Sequence, residues 1–208
     1  MSLTDLEIRE LAKRMNVPLA DVCFKDEIEA PLEFNQCYIL NMDDAVDQNG
    51  DLSPGTHWVF LQINKTPKGQ IEPIYFDSYG VGPPEHVKKV VKETTKLQGL
   101  PHTNKDIQSL MNNACGYYCL ALGHFLNAST YRSNNLYNDV DTFMDMFDDL
   151  NKSVDFKKNE YILKHFFRSS DPNKRKPIDV DDIVNEDHGG GIDAFKDTVN
   201  VKVLNQNT

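Results

Sequence analysis

Gln108-Ser-Leu-Met-Asn-Asn-Ala-Cys115-Gly116-Tyr117-Tyr118 leads into Cys-Leu-Ala-Leu-Gly-His-Phe-Leu126. From Ala114 onward the run is apolar almost all round, which predicts a helix from about Ala114 to Leu126 that is buried on every side. Asn112 and Asn113 are suited to cap its start. A helix of this kind needs a layer on each flank, so the rest of the chain is expected to wrap it.

The sequence upstream of this helix supplies a sheet. Residues 36–41 (QCYILN) read as a short buried strand, and 57–64 (HWVFLQIN) and 71–78 (IEPIYFDS) as two more. Thr66-Pro67-Lys68-Gly69 between the last two is a turn signal, and Pro73 weakens the middle of the second. Residues 43–55 form a polar loop. Its Asp47-Gln-Asn49-Gly50 resembles part of a calcium loop, but Ala45 and Thr56 would occupy its first and twelfth positions, so it reads as a solvated turn.

Helices surround this sheet. Thr4-Asp5-Leu6-Glu7 is a capping box opening a surface helix over 4–16, with Leu6, Leu11 and Met15 at near-helical spacing. Residues 84–98 predict a helix with Val87, Val90, Val91 and Leu97 inward. Further helices are expected near 139–150, carrying Val140, Phe143, Met144 and Phe147, and over 156–167. The pattern is α+β: a mainly antiparallel sheet flanked by helices, with the Cys115 helix in the core. Residues 1–170 form one expected domain. After Ser170 the composition becomes polar, and 171–208, with Gly189-Gly190-Gly191, reads as a tail loosely attached or wrapped over that domain.

Composition narrows the function. With 208 residues the chain can bury a full core. A net charge of −10 argues against a standing grip on nucleic acid, which needs Lys and Arg to displace counterions. The four cysteines show no disulfide framework, which fits a reducing compartment where a thiol survives. The N-terminus lacks a signal-peptide core and no apolar run reaches membrane-spanning length, so a soluble protein is expected. No Cys/His spacing suggests zinc, and no cofactor is expected.

The residues that carry chemistry then converge. A hairpin turning at Pro67-Lys68 pairs residues whose numbers sum to about 135, which sets His57 beside residue 77 or 78. Antiparallel neighbours sit ~5 Å apart, so Asp77 can orient the imidazole and stabilise its positive form. Cys115 opens a helix, where the dipole favours a thiolate and a neighbouring imidazole can take the proton. Gln108 carries an amide donor for an oxyanion, beside the Cys115 backbone N–H. Trp58 is expected to wall the site beside His57, and Gly116 to let a substrate backbone approach. Each residue alone has a plainer reading: a core thiol, an edge histidine, a turn aspartate. Together they predict a thiol protease site of His57, Asp77, Gln108 and Cys115. Cys23, Cys37 and Cys119 keep the plain reading.

Thr56-His57-Trp58, Phe76-Asp77-Ser78-Tyr79-Gly80, Gln108 and Ala114-Cys115-Gly116-Tyr117-Tyr118-Cys119 resemble the adenovirus-type cysteine endopeptidases, which share a clan with the SUMO-specific proteases. The spacing from Gln108 to Cys115 resembles the adenovirus type rather than the SUMO type, and the likeness runs from the first helix to about residue 165. It implies His57 as general base, Asp77 as its partner where the adenovirus enzyme has Glu, Cys115 as nucleophile and Gln108 as oxyanion donor. It also implies cleavage after small or glycine-rich sequences, with Trp58 shaping the slot. Similar proteins occur in virophages and Maverick/Polinton elements, which implies processing of capsid or other structural precursors, in the host cytoplasm or viral factory and in the virion. An activating peptide is a further implication, whereas the acidic charge speaks against a DNA cofactor. A protease for ubiquitin-like modifiers would share the same site. A catalytically inactive virion binding module is the alternative outside enzymes.

Overall fold

The computed structural model describes residues 3–110, 112–128, 133, 135–152 and 156–167. The expected tail over 171–208 lies outside the described residues. Helix α1 (Asp5–Arg14) leads into strands β1 (Leu19–Phe24), β2 (Cys37–Asn41), β3 (Trp58–Lys65) and β4 (Ile71–Phe76). Helices α2 (Glu85–Thr95), α3 (Cys115–Asn127), α4 (Leu136–Met144) and α5 (Phe156–Phe166) follow. The four strands lie in sequence order, with β1–β2 parallel and the other two pairings antiparallel. The α+β architecture is the expected one, with β1 as an addition that the sequence reading lacked.

Alternation along the strands sorts the two faces. Cys37, Ile39, Trp58, Phe60, Ile74 and Phe76 point to one face and pack with α1, α3, α4 and α5. Tyr38, Leu40, Val59, Leu61, Ile63 and Tyr75 point to the other and pack with Val87, Val90 and Val91 of α2. Helices therefore flank the sheet on both sides. Every described side of α3 is enclosed except at His124 and Asn127. Gly123 permits its close approach to the sheet: a Cβ there would lie 2.7 Å from Val17 Cγ1 and 3.2 Å from Phe60 Cε2.

Local rules account for the helix ends. The Thr4 hydroxyl accepts from the Glu7 N–H, and the Glu7 carboxylate accepts from the Thr4 N–H, which completes the capping box. Of the near-helically spaced apolar residues, Leu6 is 72% exposed, while Leu11 and Met15 join Ile8 and Ala12 in the buried stripe. Leu97, expected inward, is a correction. Lys96 adopts the left-handed conformation (φ 65°) and stops α2, so Leu97 falls beyond the helix and is half-exposed. Helix α4 starts at Leu136, three residues earlier than expected, because Asn135 caps it by accepting from the Asn138 N–H. Phe147 lies past its end yet is buried with Phe143 and Tyr118.

The hairpin β3–β4 positions the site. Its connection is longer than a two-residue turn: the Thr66 N–H donates to Gln70 O, and the Gly69 N–H to Thr66 O. Paired residues sum to 136, as in Phe60↔Phe76 and Lys65↔Ile71. Beyond β4, Pro101 to Thr103 borders the edge strand, through Tyr75 N–H to Pro101 O and Thr103 N–H to Tyr75 O. That strip delivers residues 104–108 to the end of β4. Ile107 and Gln108 both donate their backbone N–H to Ser78 O (2.8 and 3.2 Å).

Candidate active site

His57, Asp77, Gln108 and Cys115 meet at one end of the sheet. His57 immediately precedes β3 and Asp77 immediately follows β4. The imidazole Nε2 lies 2.8 Å from Asp77 Oδ1, so the predicted pairing is present, offset diagonally from the strict register. Asp77 is nearly fully buried, and the same oxygen accepts the Tyr79 backbone N–H at 2.8 Å. That turn, closed by Gly80 N–H to Asp77 O, fixes the carboxylate where β4 ends.

Cys115 is the first residue of α3, behind Ala114 at the N-cap, and is buried. Asn112 supports this turn by accepting the Ala114 N–H at 3.3 Å. Cys115 lies near enough to the His57 ring to raise its pKa, alongside the Asp77 hydrogen bond. Burial alone would lower the pKa of His57. The Asp77 hydrogen bond, the adjacent Cys115 and the charges of both outweigh burial and raise it to about 9. At neutral pH the ring is therefore protonated, poised as an acid.

The other thiols are chemically quiet. Burial pushes Cys37 up to about 12. Cys23 also rises to about 12, through burial and the nearby carboxylate of Asp21. Cys119, one turn into α3, is raised by burial and directs its Sγ to Trp58 O at 3.5 Å. Thiols held protonated in this way are poor nucleophiles.

Gln108 is buried and clamped at both ends of its amide. Its Oε1 accepts the Ser78 hydroxyl at 2.7 Å. Its Nε2 donates to the Tyr79 hydroxyl at 3.0 Å and to Asn112 O at 3.1 Å. The structure brings Gln108 to the site, with both of its amide hydrogens engaged by the protein itself.

Trp58 and Gly116 sit together under the N-terminal segment. The indole Nε1 donates to Leu3 O at 2.8 Å, and Trp58 is only 6% exposed. A Cβ at Gly116 would meet Leu3 Cδ1 at 3.2 Å and Trp58 Cδ1 at 3.4 Å. Leu3 thus covers both residues expected to face a substrate, and Trp58 contributes to the core rather than to an open wall.

Tyr79 is the site residue that the sequence reading passed over. Its ring stacks on the His57 imidazole with centroids 4.7 Å apart and planes 30° from parallel. The signal was present in the hairpin register, since 57 and 79 sum to the observed 136. Among the described residues no group of three or more His, Cys, Asp and Glu side chains is placed to hold a metal ion. The arrangement can transfer a proton between sulfur and imidazole and hold the resulting charge.

No family model and no curated protein matches the sequence. Among solved structures, the chain is similar to the Xanthomonas campestris effector protein XopD bound to ubiquitin. Identity is 15%, the match covers 69% of this chain and 79% of that one, and the TM-score is 0.35. At that level the case for function rests on the site.

Proposed function

We propose that the protein is a cysteine endopeptidase in which Cys115 is the nucleophile and His57 the acid–base group. The observation that carries this reading is the His57 imidazole bonded to buried Asp77, with the Cys115 thiol beside it at a helix start. With the thiol proton on the His57 imidazole, the Cys115 thiolate attacks the scissile carbonyl carbon, and the carbonyl π electrons move to oxygen. Collapse of that oxyanion expels the amine, which takes a proton from the imidazolium. Water then attacks the thioester as His57 removes its proton, and the thiolate leaves with the carboxylic acid formed. Asp77 holds the ring and offsets its charge in both halves. Gln108 would stabilise the oxyanion by exchanging one of its present acceptors for the substrate oxygen, beside the Cys115 N–H.

The proposed substrates are viral capsid or other structural precursors, cut after small or glycine-rich sequences in the host cytoplasm, viral factory or virion. The motif resemblance to adenovirus-type endopeptidases supports that choice. A protease for ubiquitin-like modifiers would use the same four residues. Incubating wild type and Cys115→Ala with capsid precursors and with ubiquitin-like proteins, then sequencing new termini, separates the two. New termini that persist in Cys115→Ala would refute the peptidase reading. Iodoacetamide should label Cys115 ahead of Cys23, Cys37 and Cys119, and mass spectrometry of the adducts checks it.

A further inference from the structure

The geometry points to a binding site for a guanidinium group in the cavity between the closed end of the β3–β4 hairpin and the start of α4. The inference does not depend on the peptidase reading. The cavity measures about 510 Å³, a volume typical of small-molecule sites. Alternation along the hairpin puts Gln62, Asn64 and Glu72 on the face that also carries Phe60 and Ile74. Leu136 and Asp139 of α4 complete the part of the lining that matters here.

Gln62 carries the inference. It is 5% exposed, and its Nε2 donates to Asn64 Oδ1 at 2.7 Å. Its Oε1 is buried and meets no donor among the described residues. Leaving a buried acceptor unpaired destabilises the fold, and a bound donor would relieve that cost. Two buried carboxylates, Glu72 and Asp139, line the same cavity. Holding the start of α4 uses one oxygen of each. Glu72 Oε2 accepts the Leu136 N–H at 3.0 Å, and Asp139 Oδ1 accepts the Ser133 N–H at 2.8 Å. That role explains nothing about Gln62, and it leaves each carboxylate a second oxygen. Among the described residues no Lys or Arg pairs with either acid: Lys65 extends its ammonium over the Phe34 ring, and Lys68 is exposed on the turn. The cavity thus combines an amide acceptor with two negative charges. A guanidinium presents several N–H donors in one plane, so a single group can serve an amide oxygen and carboxylates together. A metal ion fits less well, since no three His, Cys, Asp or Glu side chains gather there among the described residues.

The probes are agmatine and the peptide acetyl-Gly-Arg-Gly-amide, titrated into the full chain by calorimetry with amide NMR shifts to map the contact. Binding should shift the Gln62 side-chain amide and the Leu136 N–H. Agmatine binding alone would mark a free small molecule as the source of the group, and peptide binding alone an arginine side chain. Glu72→Gln keeps an acceptor for Leu136 and removes the charge, and it should weaken binding roughly 10–100-fold. Gln62→Met should weaken binding about fivefold while the unliganded Tm holds or rises, because the unpaired acceptor goes with it. Absence of binding by both probes, or equal affinity in wild type and both variants, would overturn the proposal. Putrescine binding as tightly as agmatine would overturn the guanidinium assignment. Should Glu72→Gln not fold, Gln62→Met and the wild-type shift map still decide. None of these readouts uses hydrolysis, so an inactive protein would refute the peptidase reading and leave this one standing.

Discussion

The two ends of the β3–β4 hairpin are built in opposite ways. At the closed end the chain is joined by backbone bonds, Thr66 N–H to Gln70 O and Gly69 N–H to Thr66 O. The cavity beside it, about 510 Å³, is lined by Gln62, Lys65, Glu72 and Asp139 among others, with no thiol or imidazole. At the open end the described ladder stops at Phe76, and the side-chain bond from His57 to Asp77 spans the gap. A hairpin end held by backbone tolerates many side chains. An end held by side chains commits their identities, and those are the residues that carry charge and protons here.

Changes at the open end should therefore cost activity more than stability. His57→Ala should reduce peptide hydrolysis at least about 10⁴-fold, since base and nucleophile act as a unit. Its thermal unfolding midpoint should also fall at neutral pH, where the raised imidazole contributes stability, and retained turnover would mean that another group moves the proton.

Asp77→Asn should lose about 10²–10³-fold, because an amide can orient the ring but not offset its charge. It should also change the pH dependence of stability. The folded imidazole, raised to about 9 from 6.5, binds its proton more tightly than the unfolded one. Its contribution is thus complete below pH 6.5 and is lost as the pH rises through 9. Urea titrations across that window should show wild type weakening, and Asp77→Asn, with its midpoint nearer 6.5, losing less.

Gln108→Ala should lower kcat by ~10²–10³ with little change in KM. It should also lower Tm, since the Ser78 hydroxyl loses its buried acceptor. An effect confined to KM would make Gln108 a substrate-binding residue.

The contrast sharpens at the closed end. Gly69 has φ +82° with open space around its Cα, so Gly69→Ala should cost about 1–2 kcal/mol by backbone strain alone and leave hydrolysis unchanged. Denaturant midpoints and rates measured on one preparation check both halves.

The sequence made the open end largely readable because the hairpin offset couples distant numbers by simple arithmetic. It made β1 hard to read. Leu19–Phe24 is a half-buried edge strand whose inward residue is Val22, and its irregular register with β2 breaks the alternation. Leu97 misled for a related reason: an apolar residue beside a helix cap can lie outside the buried stripe, as Leu6 also does. The roles of Trp58 and Gly116 depended on what covers them. Leu3 lies 55 residues from Trp58 in the chain, and no local pattern announces that contact.

The same contact makes the protein its own optical gauge. It has one tryptophan, and that indole is sandwiched where Leu3 meets the first turn of α3. Its emission carries no background from other indoles, so its colour reports a single seam. Release of the amino-terminal segment should redden the fluorescence before the rest of the fold melts. Any molecule that opens or seals the surroundings of Gly116 can be followed by light, without a label and without a substrate.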